Sequence, residues 1–330
     1  MITNNINFDR KASFIVKGIA ILLMIAHHLF SQNTFDQISS TPLPQLYLLI
    51  GKLGKICVSI YMFVGGYAFL LSKENSFFKR LWHIYKKFIT TFFITTIVLL
   101  ITHKLYVTPL QYIQNALCIS WEINGSWWFI STYILYIIFF FILCKPLLKI
   151  KVYWQFLILL FCIFILQPFA DYIRNAQALN AILRIQLHYF FYYLGFFYLG
   201  TIFFHHKLFS FIKKTSQNII LLMIILCGSL CVRIIFNINC MNYILIPVLI
   251  ALVCYIPQKE KLLQLLGKYS MSMWLVHMFF IEERYFLRQI TILSSPIGVF
   301  AIVTLLSLGY AILESYTLAF IRNKVNNLIQ

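Results

Sequence analysis

Lys17–Phe30 reads KGIAILLMIAHHLF, an apolar run opened by one cation and closed by two histidines. As a helix, the eleven-residue step from Lys17 to His28 turns about 1100°, three turns plus roughly 20°, so the two side chains share one stripe. The same step rises about 16 Å. With Lys17 at the inner edge of a hydrocarbon layer about 30 Å thick, His28 falls near its midplane. Ionisable groups at that depth are costly and mark functional sites. The run therefore predicts a membrane-crossing helix over 14–31 with a titratable nitrogen halfway along. His27 points about 100° away and reads as a packing or orienting residue.

The rest of the chain has the same character. Of its 330 residues, 61% are hydrophobic and 11% charged, with 33 Phe and 20 Tyr against nine acids. The mean hydropathy of +0.84 lies outside the range of soluble domains. Continuous apolar runs, rather than alternating ten-residue segments, exclude an outer-membrane barrel. The reading is all-α and polytopic: about ten transmembrane helices in one membrane domain over 1–330, with no separate soluble domain. Spans are expected near 14–31, 50–72, 84–102, 127–144, 152–168, 186–204, 218–236, 241–256, 269–289 and 296–320.

The formal charge of +18 would suit nucleic acid, but its placement argues otherwise. Connectors alternate between basic and nearly uncharged. Most of the 27 Lys and Arg fall in one set, which includes Lys17, the cluster Lys79, Arg80, Lys86 and Lys87, and the late pair Arg322 and Lys324. The opposite set holds only Lys104, Arg174, Arg184, Arg284 and Arg288. The positive-inside rule then puts both termini in the cytoplasm, and the basic excess is topological rather than a nucleic-acid footprint. The eight cysteines form no CxxC pair and no His/Cys/acid cluster has zinc spacing, so no metal is expected. The first apolar run ends in His-His rather than a small-residue cleavage site, which argues against a signal peptide.

Further stretches carry candidate structure or chemistry. Residues 1–16 read as a short amphipathic segment at the inner surface. IYMFVGGYAFLL contains Gly65 and Gly66, a pair that permits close approach by a neighbouring helix or by a ligand. Arg80, His83 and Lys86 lie in the densest basic cluster, either a topogenic anchor touching anionic lipid or a dock for a polyphosphorylated ligand. WWFISTYILY opens the fourth span with Trp127 and Trp128, for which an interfacial aromatic belt is the default account. LGKYSMSMWLVH puts Ser270 and His277 on one face, with His277 about 13 Å above Lys268, again near mid-depth. A Lys-rich stretch before it, 259–266, reads as an interfacial segment. Glu314 has no evident partner in the sequence.

Together these segments resemble the acyltransferase 3 family of integral-membrane O-acyltransferases over nearly the whole chain. The most specific piece is the basic-x10-His signature, Lys17 to His28. The Gly-containing second span, the Trp-Phe fourth span and the late Gly-x-x-Ser…His element support it. Three features depart from the family pattern. Lys17 stands where Arg is common, Arg80-x-x-His83 replaces Arg-x-x-Arg, and Ser131-Thr132 stands where many members carry a Glu. The resemblance implies a cytoplasmic acyl-CoA donor, most commonly acetyl-CoA, as co-substrate with no bound cofactor. It also implies a hydroxyl acceptor on a cell-surface glycan or lipid-linked sugar, and residence in the cell (cytoplasmic) membrane in contact with its lipid. No fused extracytoplasmic domain is expected, so transfer would be completed by the membrane domain or a separate partner.

In that scheme Lys17, Arg80, His83 and Lys86 meet the donor's phosphates. His28 accepts the proton of the attacking hydroxyl, or carries the acyl group itself. Gly65, Gly66, Trp127, Ser270 and His277 are the further substrate-binding candidates. The rival is a polytopic transporter or flippase, which would call for inverted repeats or broken helices in matching halves. A non-catalytic sensor or scaffold is the third reading.

Overall fold

The computed structural model describes residues 6–31, 43–71, 77–176, 180–213, 215–255, 260–282 and 295–329. It is all-helical, and among the described residues there is no strand. The helices are α1 (Arg10–Phe30), α2 (Gln45–Gly54), α3 (Ile56–Leu71), α4 (Phe77–Ile101), α5 (Pro109–Ala116), α6 (Trp128–Lys149) and α7 (Val152–Phe161). They continue with α8 (Gln167–Asn175), α9 (Ala181–His205), α10 (Ser216–Phe236), α11 (Asn242–Tyr255), α12 (Lys261–Ile281) and α13 (Pro296–Ile329).

Among the described residues, eight helical segments are long and apolar enough to cross a membrane, against the ten spans expected. Two expected spans fall outside that set for physical reasons. Asn239–Tyr255 is short. Helix α12 is long, but Gly267, Lys268, Ser270, Ser272 and His277 dilute its apolar character. The Lys-rich stretch before it is no separate interfacial segment, because Lys261 to Leu266 continue unbroken into the helix. Residues 10–16 are likewise the first turns of α1, with Ala12, Ile15 and Val16 wholly buried. Arg284 and Arg288 lie outside the described residues.

Packing divides the chain into two compact units interleaved in sequence, and the divisions fall inside α1, α3, α4 and α12. The first unit comprises 1–17, 58–82 and 128–264. Helix α9 runs through its centre, buried from Tyr192 to Ile202. Helix α3 crosses it backbone to backbone: a Cβ on Gly66 would fall on the Phe197 carbonyl oxygen, and one on Gly200 on the Phe63 carbonyl oxygen. These reciprocal glycines let the two helices meet with no side chain between them. Phe8 closes the same unit against Tyr67 and Phe209, with ring centroids 4.9 and 5.6 Å away.

Alanine ordinarily stabilises a helix over glycine by about 0.5–1 kcal/mol. At Gly66 overpacking, typically about 1–3 kcal/mol, is expected to outweigh that gain. Gly66→Ala should therefore lower the melting temperature of the purified protein. The same exchange at Gly228, where nothing lies within 4 Å, should be neutral or stabilising. Equal shifts at the two positions would sink this account of the crossing.

The second unit comprises 18–57, 83–127 and 265–330. Gly54 of α2 packs on the Leu23 carbonyl of α1, and a Cβ on Gly51 would come within 2.8 Å of the Phe30 backbone. Trp127 fills the core, 5.2 Å from Phe88, 5.8 Å from Phe92 and 5.9 Å from Phe279 between ring centroids. Glu314, left without a partner in the sequence, is buried and accepts a 2.8 Å hydrogen bond from Thr91.

Candidate active site

The last turns of α1 carry His27 and His28, and each is held by a different element of the second unit. His27 bonds through Nδ1 to the Gly51 carbonyl of α2 at 2.8 Å, and Ser31 Oγ lies 2.8 Å from the same nitrogen. A carbonyl only accepts, so His27 Nδ1 carries a hydrogen. His27 thus ties α1 to α2.

His28 turns toward α12 instead. Its Nδ1 lies 2.7 Å from His277 Nε2. The two ring planes are 7° apart with centroids separated by 4.9 Å. That separation is what an in-plane bond leaves between ring centres, so the imidazoles meet edge to edge rather than face to face. His277 is wholly buried, whereas His28 is partly accessible.

The hydrogen positions follow from the acceptors. His277 Nδ1 lies 2.6 Å from the Trp274 carbonyl oxygen, which can only accept, so Nδ1 of His277 is the protonated nitrogen. Its Nε2 then presents a lone pair, and His28 must donate to it from Nδ1. In the neutral pair this leaves the lone pair of His28 on Nε2, the nitrogen turned away from His277. One backbone carbonyl thereby sets the tautomers of both rings.

The turn of α12 that bears His277 is gripped from the side. Asn124 Nδ2 donates to the Leu275 carbonyl at 3.0 Å and Trp127 Nε1 donates to the same oxygen at 2.9 Å. Asn124 also accepts from the backbone and hydroxyl of Ser126 at 2.9 and 2.7 Å. Asn115, at the end of α5, holds the preceding loop by donating to Glu122 Oε2 at 2.7 Å and accepting from the Ile123 backbone at 3.2 Å. Asn124 is fully buried and was not singled out in the sequence. Its only signal there is the Asn-Gly dipeptide of a turn.

Partial burial pushes the Glu122 carboxyl up, but hydrogen bonds from Ser120, its own backbone and Asn115 outweigh this and hold it below the usual carboxylate range. A carboxyl whose folded value is depressed stabilises above its unfolded value and loses that stabilisation as pH falls through the folded value. Thermal stability is accordingly expected to fall on acidification below the ordinary carboxylate range, and less steeply in Glu122→Gln. Identical acid profiles for the two proteins would contradict the assignment.

Two hydrogen-bonded imidazoles, one buried and one partly accessible, are equipped for proton transfer. Residues 12–314 match the family model Acyl_transf_3, an acyltransferase domain. The chain belongs to the acyltransferase 3 family. It is an enzyme that moves acyl groups other than aminoacyl groups, and the transporter and scaffold readings fall away. No curated protein and no solved structure matches the chain significantly.

The remaining candidates of this acyltransferase are placed as follows. His28, His277, Ser270 and Trp127 belong to the second unit, as do His83 and Lys86. Ser270 is buried two turns before His277 and donates to the Gly267 carbonyl at 3.0 Å. Trp127 does not sit in an interfacial belt: it is buried, and its N–H is engaged by Leu275. His83 and Lys86 are exposed along α4.

Lys17, Gly65, Gly66 and Arg80 belong to the first unit. Lys17 is partly exposed, with Nζ 4.6 Å from the Phe14 ring centroid. Arg80 folds back on the end of α3, donating to the Phe69 carbonyl at 2.7 Å and covering the Phe69 ring at 4.6 Å. Of the two roles weighed for the glycine pair, helix packing accounts for both contacts: Phe197 backbone meets Gly66, and the Tyr133 ring lies 2.7 Å from a Cβ on Gly65. Thr132 accepts a 3.1 Å hydrogen bond from Gln186.

Proposed function

We propose that this acyltransferase moves an acyl group, acetyl in the simplest case, from cytoplasmic acyl-CoA to a hydroxyl of a cell-surface glycan or lipid-linked sugar. It does so from the cytoplasmic membrane. The observation that carries the reading is the hydrogen-bond chain from the Trp274 carbonyl through His277 to His28, which leaves His28 Nε2 as a base.

In this reading His28 Nε2 takes the acceptor's hydroxyl proton as its oxygen attacks the thioester carbonyl carbon. The tetrahedral oxyanion collapses, the C–S bond breaks, and the coenzyme A thiolate leaves. The imidazolium returns the proton to the thiolate, so an ester and a free thiol are the products. His277 holds the His28 tautomer through Nδ1 and stabilises the imidazolium by accepting its hydrogen bond. An acyl-histidine route would use the same nitrogen as nucleophile.

The donor's phosphates are assigned to Lys17, Arg80, His83 and Lys86 from their position in the sequence, at the cytoplasmic ends of the first and third spans. This rests on ten spans in one membrane domain with both termini inside, the arrangement the positive-inside pattern supports. Trp127 and Ser270 shape the substrate path by setting the position of α12, while Gly65 and Gly66 set helix approach within the first unit. Nucleic acid has no part in this scheme.

Purified protein should release free thiol from acetyl-CoA only when envelope glycan or a lipid-linked sugar is supplied, with the acyl group recovered as an alkali-labile ester on the acceptor. Thiol release without an ester product, or an ester formed equally well from a donor lacking the nucleotide, would overturn the donor and acceptor assignments.

A further inference from the structure

We propose that Asn124 is a positioning residue for His277, set against α12 by a strut, residues 108–127, that runs back along α4. The proposal rests on the acyl-transfer reading given above. Contacts within the second unit fix the course of the strut. Thr108 caps α5, its Oγ1 accepting from the Gln111 backbone at 3.3 Å while its own N–H donates to Gln111 Oε1 at 2.9 Å. Helix α5 then lies against α4 in the opposite direction. Tyr112 is 5.0 Å from Phe92 between ring centroids, and the Tyr85 hydroxyl donates to the Ala116 carbonyl at 3.0 Å. Tyr85 stands about 24 Å of helix rise before Ile101, the last residue of α4. The chain thus returns deep along α4 before α6 begins. Cys118, at φ 57°, closes α5 in a Schellman turn, with the Ile119 N–H on the Gln114 carbonyl at 2.9 Å. Backbone outside helices is tolerated at membrane depth where protein buries it. Ser120, Ile123 and Asn124 meet that condition, being 2, 1 and 0% exposed.

Asn124 is the point at which the strut meets α12. Its Oδ1 is held by the backbone and hydroxyl of Ser126, which turns the amide nitrogen toward the Leu275 carbonyl at 3.0 Å. Leu275 lies two residues before His277 and next to Trp274, whose carbonyl sets the His277 hydrogen. Trp127 Nε1 donates to the same Leu275 oxygen at 2.9 Å, so one carbonyl of α12 receives two side-chain donors from a single loop. This turn can neither rotate nor slide without giving up both bonds. The contact it serves has little tolerance. His277 Nε2 is 2.7 Å from His28 Nδ1, and a shift of about 1 Å would carry the pair beyond the roughly 3.2 Å limit of a good hydrogen bond. The influence of Asn124 on the reaction therefore runs through His277.

The test is a double-mutant cycle on the purified full chain, reading thiol release from acetyl-CoA with envelope glycan as acceptor. Asn124→Leu keeps the volume of the side chain and removes its donor. It should lower kcat about tenfold, the low end of what partners that orient a functional histidine contribute, with KM for acetyl-CoA unchanged. In a His277→Phe background the same exchange should cost nothing further, because residues that act through one another do not add. Trp127→Phe keeps the aromatic packing, removes the second donor and should follow the same pattern, which keeps the test decisive if Asn124→Leu fails to fold. Equal losses in both backgrounds, or a rise in KM with kcat intact, would overturn the proposal. Should His277→Phe leave the rate unaltered, or the protein show no transfer at all, the acyl-transfer reading is what fails, and positioning is then read without turnover. With isotope-labelled histidine nitrogens, NMR should show one His28 tautomer, protonated on Nδ1, and a mixture of both in Asn124→Leu. Spectra unchanged by Asn124→Leu would overturn the positioning role.

Discussion

Replacing His28 by alanine is expected to lower acyl transfer by about 10²–10⁴-fold, the usual contribution of a positioned general base. The argument runs from hydrogen positions. Trp274 fixes the hydrogen of His277, His277 fixes that of His28, and the lone pair is thereby directed to Nε2 of a ring that stays partly accessible. Alanine removes that nitrogen while leaving the helix former that α1 prefers. Expression, membrane insertion and melting temperature should change little, since the neighbouring grip of His27 on Gly51 is untouched. Free imidazole should restore part of the rate. If initial rates with acetyl-CoA stay near those of the unmodified enzyme, His28 is not the base and the scheme is wrong.

The second large effect is expected at His277, which in the proposed mechanism acts through His28. Phenylalanine keeps the bulk of the ring but removes the acceptor for His28 Nδ1–H, freeing His28 to adopt the other tautomer. Outer partners that orient a functional histidine are typically worth about 10–100-fold, and a loss of that size is expected here in kcat with KM little changed. His277→Gln supplies a carbonyl oxygen in roughly the same place and should recover much of the loss. Equal damage from Phe and Gln would mean that His277 serves packing alone. Full activity in both would mean that the pair has no bearing on the reaction.

Much of the fold was legible because the membrane leaves few alternatives: long apolar runs without charge must be helices. Helix ends were less so. Residues 10–16 and 261–266 look amphipathic in isolation, yet both extend longer helices, because Ile15, Val16 and Leu266 find burial that no local pattern reveals. Hydropathy undervalued α12 for the opposite reason: its serines and His277 are buried against protein. Of the site, the matching depths of His28 and His277 could be computed from helix rise, but their contact could not, since 249 positions of sequence separate them. Trp127 was misread as a belt residue because an aromatic near a span end looks the same from sequence whether it faces lipid or core. Asn124 escaped altogether: a side chain recruited by a distant backbone carbonyl leaves no periodicity and no motif.

The anchoring of His277 on a main-chain oxygen carries one more implication. An amide carbonyl has no exchangeable hydrogen to relay and binds one far too weakly to accept it, so the imidazole pair is closed at its inner end. A hydrogen gained at the accessible nitrogen has to depart from that same nitrogen. In the proposed mechanism turnover then carries no net charge from one face of the bilayer to the other, and dissipating the electrochemical gradient with a protonophore should leave its speed unaltered.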